Sequence, residues 1–340
     1  MIAAQDLEVQ FFFQKGLQLN RAEEYVKAIA SYDKALEIQP DYPDAWYSRG
    51  NALYHLRRFE EAIASFDHAL ALRPGFHEAW NNRGNALDDL RRFEEAIASY
   101  EQAIKFKSDY YWAWNNRGIA LKNLGCYEEA INSYDRAIEF KPNYYWAWYN
   151  RGLALRELGR YDKTLASFNK AVEFKPDFYE VWNSRGNALY NLSHYEQAIN
   201  SYDRALEFSP DYHWAWYNRG LALRNIGRHD KAIASYDKAL AINPDNADAW
   251  YFRGLGLYNL GRYEEAIANY EQAIRLQPDK DSAWYNKACC YALQENVEMA
   301  IQTLQQAINL NPVKYRQIVK TDSDFDKIRH YERVQMLIKD

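Results

Sequence analysis

The hydrophobic positions of this chain fall on a helical spacing that restarts at a fixed interval. Trp46, Gly50 and Leu53 stand at i, i+4 and i+7, one face of a helix, and after Arg57 and Arg58 the same spacing returns at Ala62, Phe66 and Ala69. Pro74 cannot continue the second helix, so the pattern predicts a helical hairpin that proline closes and resets. Small residues at Gly50, Ala62 and Ala69 let the two backbones approach, and Trp46 and Phe66 are expected to fill the space beside them.

The hairpin recurs along the chain. Trp46, Trp80, Trp114, Trp148, Trp182, Trp216, Trp250 and Trp284 follow one another every 34 residues without an insertion, and Phe12 extends the series backwards. A glycine stands four residues after each aromatic but Trp284, from Gly16 and Gly50 through Gly254. Nine repeats are therefore expected over residues 9–314, starting at Val9, Pro43, His77, Tyr111, Tyr145, Tyr179, His213, Ala247 and Asp281. Residues 1–8 read as a lead-in and residues 315–340 as a separate C-terminal segment. A two-helix unit this short cannot bury both faces alone, so each must stack on its neighbours. An evenly repeated chain also weakens the two-domain expectation that 340 residues would otherwise carry.

Period, helix pair and small-residue positions together resemble the tetratricopeptide repeat (TPR), of the kind common in bacterial proteins. The resemblance implies an all-α fold, a right-handed superhelix in which the first helix of each repeat lines a concave groove. In this family that groove takes extended peptides or helices of partner proteins. Such arrays often end in an extra solvating helix. Residues 315–340 fit that role, with a helix start at Thr321 or Asp322 followed by Phe325, Ile328, Val334, Met336, Leu337 and Ile338. Three departures from the pattern are Thr164 for an alanine, Ser108 for a proline, and Ala288 for the glycine of the last repeat.

A more systematic departure is arginine where the family usually has leucine before the glycine: Arg49, Arg83, Arg117, Arg151, Arg185, Arg219 and Arg253. A guanidinium on the packed side of a helix needs an anionic partner. Acids recur on second helices at Asp33, Asp67, Glu101, Asp135, Asp203, Asp237 and Glu271, which predicts an arginine–acid ladder between neighbouring hairpins.

Composition narrows the function. The net charge of -5 gives no electrostatic hold on phosphate backbones, which sets nucleic acid aside. Cys126, Cys289 and Cys290 form neither a disulfide framework nor a metal-ligand spacing and read as reduced thiols of a cytoplasmic protein. No basic leader and no run of about 18 apolar residues is present, so neither export nor membrane insertion is expected. There is no phosphate-binding glycine loop, no HExxH or CxxC motif, and the seven histidines occupy unrelated repeat positions. The chain reads as non-catalytic, without cofactor or metal.

The informative irregularity is a second tryptophan in three repeats. Trp112, Trp146 and Trp214 each precede a framework tryptophan by two residues, about 200° around the helix, so the two rings must leave opposite sides. Seven and ten residues on from each stand Ile119 and Lys122, Leu153 and Arg156, Leu221 and Arg224. Tyr149 and Tyr217 lie three residues on, with Asn115 and Asn183 at that place in the fourth and sixth repeats. Elsewhere the extra tryptophan gives way to an acid, and the companions change: Asn51 and Tyr54 after Asp44, Asn85 and Asp88 after Glu78, Asn187 and Tyr190 after Glu180. Asn82, Asn116, Asn150 and Asn218 make a partial ladder beside the patches, similar to one with which some TPR proteins hold a peptide backbone.

These residues point to a protein-interaction scaffold whose groove, centred on repeats four to seven, takes a segment with bulky apolar side chains and a carboxylate. Trp, Tyr and Arg are the side chains most enriched at binding hot spots. Other readings are that the extra tryptophans only stiffen the array, that the chain is a regulatory subunit of an enzyme complex, or that it is an RNA-binding helical-repeat protein.

Overall fold

Close packing of a glycine against an aromatic ring builds each hairpin. The computed structural model describes residues 2–339, and every regular element among them is helical. They fall into two compact bodies, Met1–Lys175 and Pro176–Asp340. The first body holds five hairpins: α1 (Ile2–Arg21) with α2 (Tyr25–Ile38), α3 (Pro43–His55) with α4 (Phe59–Leu72), α5 (His77–Asp89) with α6 (Phe93–Phe106), α7 (Tyr111–Asn123) with α8 (Tyr127–Phe140), and α9 (Tyr145–Glu157) with α10 (Tyr161–Phe174). The second holds four: α11 (Tyr179–Asn191) with α12 (Tyr195–Phe208), α13 (His213–Asn225) with α14 (His229–Ile242), α15 (Ala247–Asn259) with α16 (Tyr263–Leu276), and α17 (Asp281–Leu293) with α18 (Val297–Leu310). Helix α1 runs unbroken from Ile2, so the expected lead-in is the start of the first helix.

In each hairpin the glycine of the first helix faces an aromatic side chain of the second. A Cβ added at Gly118 would lie 2.5 Å from the ring of Tyr134, and one at Gly50 would lie 2.6 Å from Phe66. The glycine thus permits a helix approach that no larger residue allows. The last hairpin carries the exception and its compensation together: Ala288 replaces the glycine and Leu304 the aromatic, both buried in one cluster. Thr164, the other departure inside a hairpin, is buried and donates its hydroxyl to the carbonyl of Arg160.

The framework tryptophans pack beside these hairpins, in the wedge role expected of Trp46: its ring lies against the buried cluster that includes Ala62 and Phe66 and stacks on His68 of its own second helix at 4.4 Å. They sit partly exposed at the junction of successive repeats, and each indole N–H donates to the carbonyl six residues earlier: Trp46 to Pro40, Trp80 to Pro74, Trp148 to Pro142, each at 2.8 Å. Trp114 makes the same bond to Ser108 at 2.9 Å, which explains why serine replaces proline there. Only a carbonyl is needed.

The arginine–acid ladder is present and doubly bonded. Arg49 donates to Asp33 of the preceding hairpin at 2.7 Å and to Ser65 of its own second helix at 2.8 Å. Arg83, Arg117 and Arg151 repeat the arrangement with Asp67 and Ser99, Glu101 and Ser133, Asp135 and Ser167. In the second body Arg219 bridges Asp203 and Ser235, and Arg253 bridges Asp237 and Asn269. Lys287 takes the last acid, Glu271, at 2.9 Å. Each of these arginines therefore ties three helices, and Lys287 ties two.

The C-terminal segment is broken where one capping helix was expected. It comprises α19 (Pro312–Ile318), a three-residue 3-10 turn (Ser323–Phe325) and α20 (Glu332–Ile338). Asp322 caps the turn through the N–H of Asp324 rather than opening a longer helix. Phe325, Ile328, Val334 and Ile338 are buried against the last hairpin, whereas Met336 is exposed.

Gly118→Ala should destabilise the protein by about 1–3 kcal/mol through overpacking, read as a lower urea midpoint. Adding Tyr134→Leu should recover part of the loss, because the pair then copies Ala288 and Leu304; equal or greater loss in the double variant would contradict this contact.

Candidate functional site

The surface opposite the framework tryptophans is built by the start and the last turn of the first helices. Trp112, Trp146 and Trp214 are 43%, 41% and 48% exposed, although each stands in the first turn of a packed helix. Each ring is braced on one side. Trp112 lies 5.0 Å from Tyr111 and edge-on to Tyr144 at 5.1 Å; Trp146 lies 5.5 Å from Tyr145 and 6.2 Å from Tyr149. Trp214 rests 4.9 Å from His213 and 6.2 Å from Tyr217. Packing and exposure therefore coexist in the same side chains.

Trp112 and Trp146 border a single cleft of about 450 Å³. Its walls are Tyr111, Tyr144 and Tyr145, its base Asn115, Ile119 and Asn150, and its rim Lys141 and Asn143. Lys141, Asn143 and Tyr144 come from the connection before α9. Sequence reasoning confined to helix faces missed them; the signal was the stretch Lys-Pro-Asn-Tyr running directly into the tryptophan pair.

The basic edge is partly occupied from within. Arg156 is bonded to Glu157 at 2.7 Å, and the guanidinium of Arg224 lies 4.6 Å from the ring centre of Phe252. Lys122 is half-buried, and its pKa is lowered first by that burial and then by Arg156. Leu153 and Leu221, like Ile119, are half-buried.

The asparagines belong to a network between repeats. Asn116 donates to Asn81 and Asn85, Asn150 to Asn115, and Asn218 to Asn183. Asn82 donates to Asn51 and to Tyr47. Asn115 and Asn183 are buried, and the asparagines of the expected ladder spend amide hydrogens on neighbouring repeats. Asn187 accepts the hydroxyl of Tyr202 at 2.8 Å, as Asn85 accepts that of Tyr100 at 2.9 Å. Where the patch instead has Ile119 or Leu221, that acceptor is gone, and the buried hydroxyls of Tyr134 and Tyr236 have no hydrogen-bond partner.

A second, polar cleft of about 140 Å³ meets the first at Ile119 and is lined by Tyr54, Asn85, Asp88, Asp89, Tyr100 and Asn116. Tyr54 donates to Asp89 at 2.6 Å, whereas Oδ1 of Asp88 is buried without a bond. Burial, then the neighbouring Asp89, raises the Asp88 pKa to about 6, with Lys122 opposing. No helix of the described residues is long and apolar enough to cross a membrane.

Family models described as tetratricopeptide repeat match residues 47–111, 183–247, 235–267 and 251–313, and also 111–144 and 145–178, and one described as TPR repeat matches 16–56. Among curated proteins, an uncharacterised protein of Methanocaldococcus jannaschii is 40% identical over 46 residues, 14% of this chain and 54% of that protein. The match thus spans about half the length of that relative. Among solved structures, the C-terminal part of a TPR repeat-containing protein from Cytophaga hutchinsonii is 20% identical, covering 70% of this chain and 97% of that one with a TM-score of 0.59. A tetratricopeptide repeat protein from Parabacteroides merdae is 16% identical over 74% of this chain and 99% of its own, with a TM-score of 0.55. YrrB, described as a TPR protein with an unusual peptide-binding site, is 24% identical over 56% of this chain and 98% of its own, with a TM-score of 0.51. These likenesses concern the fold.

The raised Asp88 pKa has a defined consequence. A carboxyl whose folded pKa lies above its unfolded value of about 3.9 penalises folding when ionised, so the penalty is absent below that value and complete above about 6. Asp88→Asn should raise the melting temperature relative to the natural chain at pH 7.5 and leave it unchanged near pH 3.5; a gain of equal size at both would contradict the buried-carboxylate account.

Proposed function

Because the chain belongs to the tetratricopeptide repeat family, we propose that it is an interaction scaffold that captures a partner protein on the first-helix surface carrying Trp112, Trp146 and Trp214. Proteins of this family generally serve as non-catalytic scaffolds. The supporting observation is that three large aromatic rings are kept more than two-fifths exposed on otherwise close-packed helices. Leaving them so forgoes burial that would favour folding by roughly 25 cal/mol per Å² of apolar surface.

In the first body the cleft between Trp112 and Trp146 takes a bulky apolar side chain. Its volume of about 450 Å³ lies within the range of specific ligand clefts. Lys141 at the rim supplies a positive charge for a carboxylate of the same segment. In the second body the patch of Trp214, Tyr217, Leu221 and Arg224 acts on its own. Beneath these surfaces Asn115 and Asn183 bond the next repeat, and Asn187 bonds Tyr202 within its own hairpin. Action as a subunit of an enzyme complex would use the same surface, with the chemistry on the partner.

The triple variant Trp112→Ala, Trp146→Ala, Trp214→Ala should lose the partners that the natural chain retains in affinity capture followed by mass spectrometry, with helicity unchanged by circular dichroism. An unaltered partner set would refute the assignment. Loss of cooperative folding would instead assign these tryptophans to stiffening the array.

A further inference from the structure

The chain already lays one of its own segments across a first-helix surface. In the second body, Tyr285 donates its hydroxyl to Asp322 at 2.5 Å, and Tyr258 donates to Asp324. The sulfur of Cys289 lies within 4.8 Å of both carboxylates. Phe325 follows directly, fully buried, with its ring 5.9 Å from that of Tyr285. Asp322 also caps the N–H of Asp324 at 3.1 Å, and Arg329 donates to the carbonyl of Val319 at 3.1 Å and to that of Asp322. Two carboxylates and a phenyl ring, presented on one tight turn, are thus the groups that the face of the eighth and ninth repeats accepts.

The accepting residues have counterparts two periods earlier in the same body. Tyr190, Tyr217 and Leu221 occupy the repeat positions of Tyr258, Tyr285 and Cys289. Tyr190 accepts a hydrogen bond from Asn225 at 2.8 Å, which leaves its own hydrogen to donate. Tyr217 packs its ring against Trp214 and Phe252, each at 6.2 Å. The buried, unpartnered hydroxyl of Tyr236 has Arg224, Tyr217 and Tyr190 as its electrostatic neighbours. Arg224 adds a cation where the ninth repeat has Ala292. Asp248, an acid beside Tyr217, is paired with Lys280 at 2.6 Å.

We propose that Tyr190, Tyr217 and Leu221, with Trp214 and Arg224 at the rim, bind an acidic segment of a partner protein in which two carboxylates precede an aromatic residue, the chemistry of Asp322-Ser323-Asp324-Phe325. This rests on the first-helix surface being the binding surface and adds what it recognises. Two phenols donate to the two carboxylates, the guanidinium supplies the charge, and the indole covers the aromatic ring. Hydrogen bonds to ionised acceptors are about twice as strong as neutral ones, which favours acids over amides at this patch.

The test uses the full chain and a fluorescein-labelled peptide of the sequence of residues 319–331, followed by fluorescence anisotropy. The expected result is saturable binding, weakened at least tenfold by Tyr190→Phe with Tyr217→Phe and by asparagine in place of the two leading aspartates of the peptide. The tyrosine substitutions remove only hydroxyls, so folding is retained and is checked by helicity. Absence of saturable binding would overturn the proposal, as would binding that Tyr258→Phe weakens while the Tyr190 and Tyr217 variant does not. Self-association in sedimentation that Asp322→Asn with Asp324→Asn abolishes would make the occupant a second copy and also overturn it. If the peptide fails while capture still depends on the tryptophans, only this recognition chemistry falls; if peptide binding persists without such capture, the broader reading falls.

Discussion

The contact between a first-helix glycine and a second-helix ring is the constraint on which the rest depends. At Gly186 a Cβ would lie 2.4 Å from Tyr202, and at Gly220 it would lie 2.5 Å from Tyr236. That proximity sets how close the two helices run, and so which side chains can bridge them. From Arg49 to Arg219 the arginine preceding the glycine reaches a serine on its own second helix, and Arg253 reaches Asn269, because the hairpin is this tight. The ninth repeat shows that volume is what is conserved across the pair: a methyl group enters at Ala288 when a smaller, flexible leucine replaces the ring at position 304.

With the hairpin fixed, the two sides of the first helix serve different ends. One side carries the glycine, the arginine and the framework tryptophan, whose indole clamps the connection between repeats. The other carries the variable positions, and there the chain exchanges stability for surface. An asparagine at Asn85 or Asn187 satisfies the buried tyrosine beneath it. An aliphatic residue at Ile119 or Leu221 provides an apolar floor and leaves a hydroxyl unbonded, a cost of about 1–3 kcal/mol for a buried polar group. The cost falls at Tyr134 and Tyr236, in two of the three repeats with an exposed second tryptophan, and also at Tyr32 and Tyr270, in two repeats without one.

Much of this was legible in the sequence because it depends on residue type at fixed spacing. The 34-residue period, the small residues of the hairpin and the pairing of Arg49 with Asp33 each follow from position and charge alone. Other features depend on direction in space. Trp46 packs beside its hairpin as its spacing requires, but spacing alone does not show that its indole N–H reaches the carbonyl of Pro40. The asparagines looked like groove ligands because they share a face, and the actual separation of adjacent first helices lets them bond one another. The C-terminal segment reads as one helix from its apolar spacing, but the hydroxyls of Tyr258 and Tyr285 compete for its aspartates and favour a turn. Asp88 gave no signal, since its burial is made by neighbours from other repeats.

The claim that two classes of tryptophan exist, one structural and one for recognition, can be tested by fluorine NMR of the full chain labelled with 5-fluorotryptophan. Substituting each of the three extra tryptophans assigns its resonance among the eleven. Adding a peptide of the sequence of residues 319–331 should shift the Trp214 resonance and leave the eight framework resonances in place. Shifts confined to the framework tryptophans, or no shift at Trp214 at saturating peptide, would contradict the account.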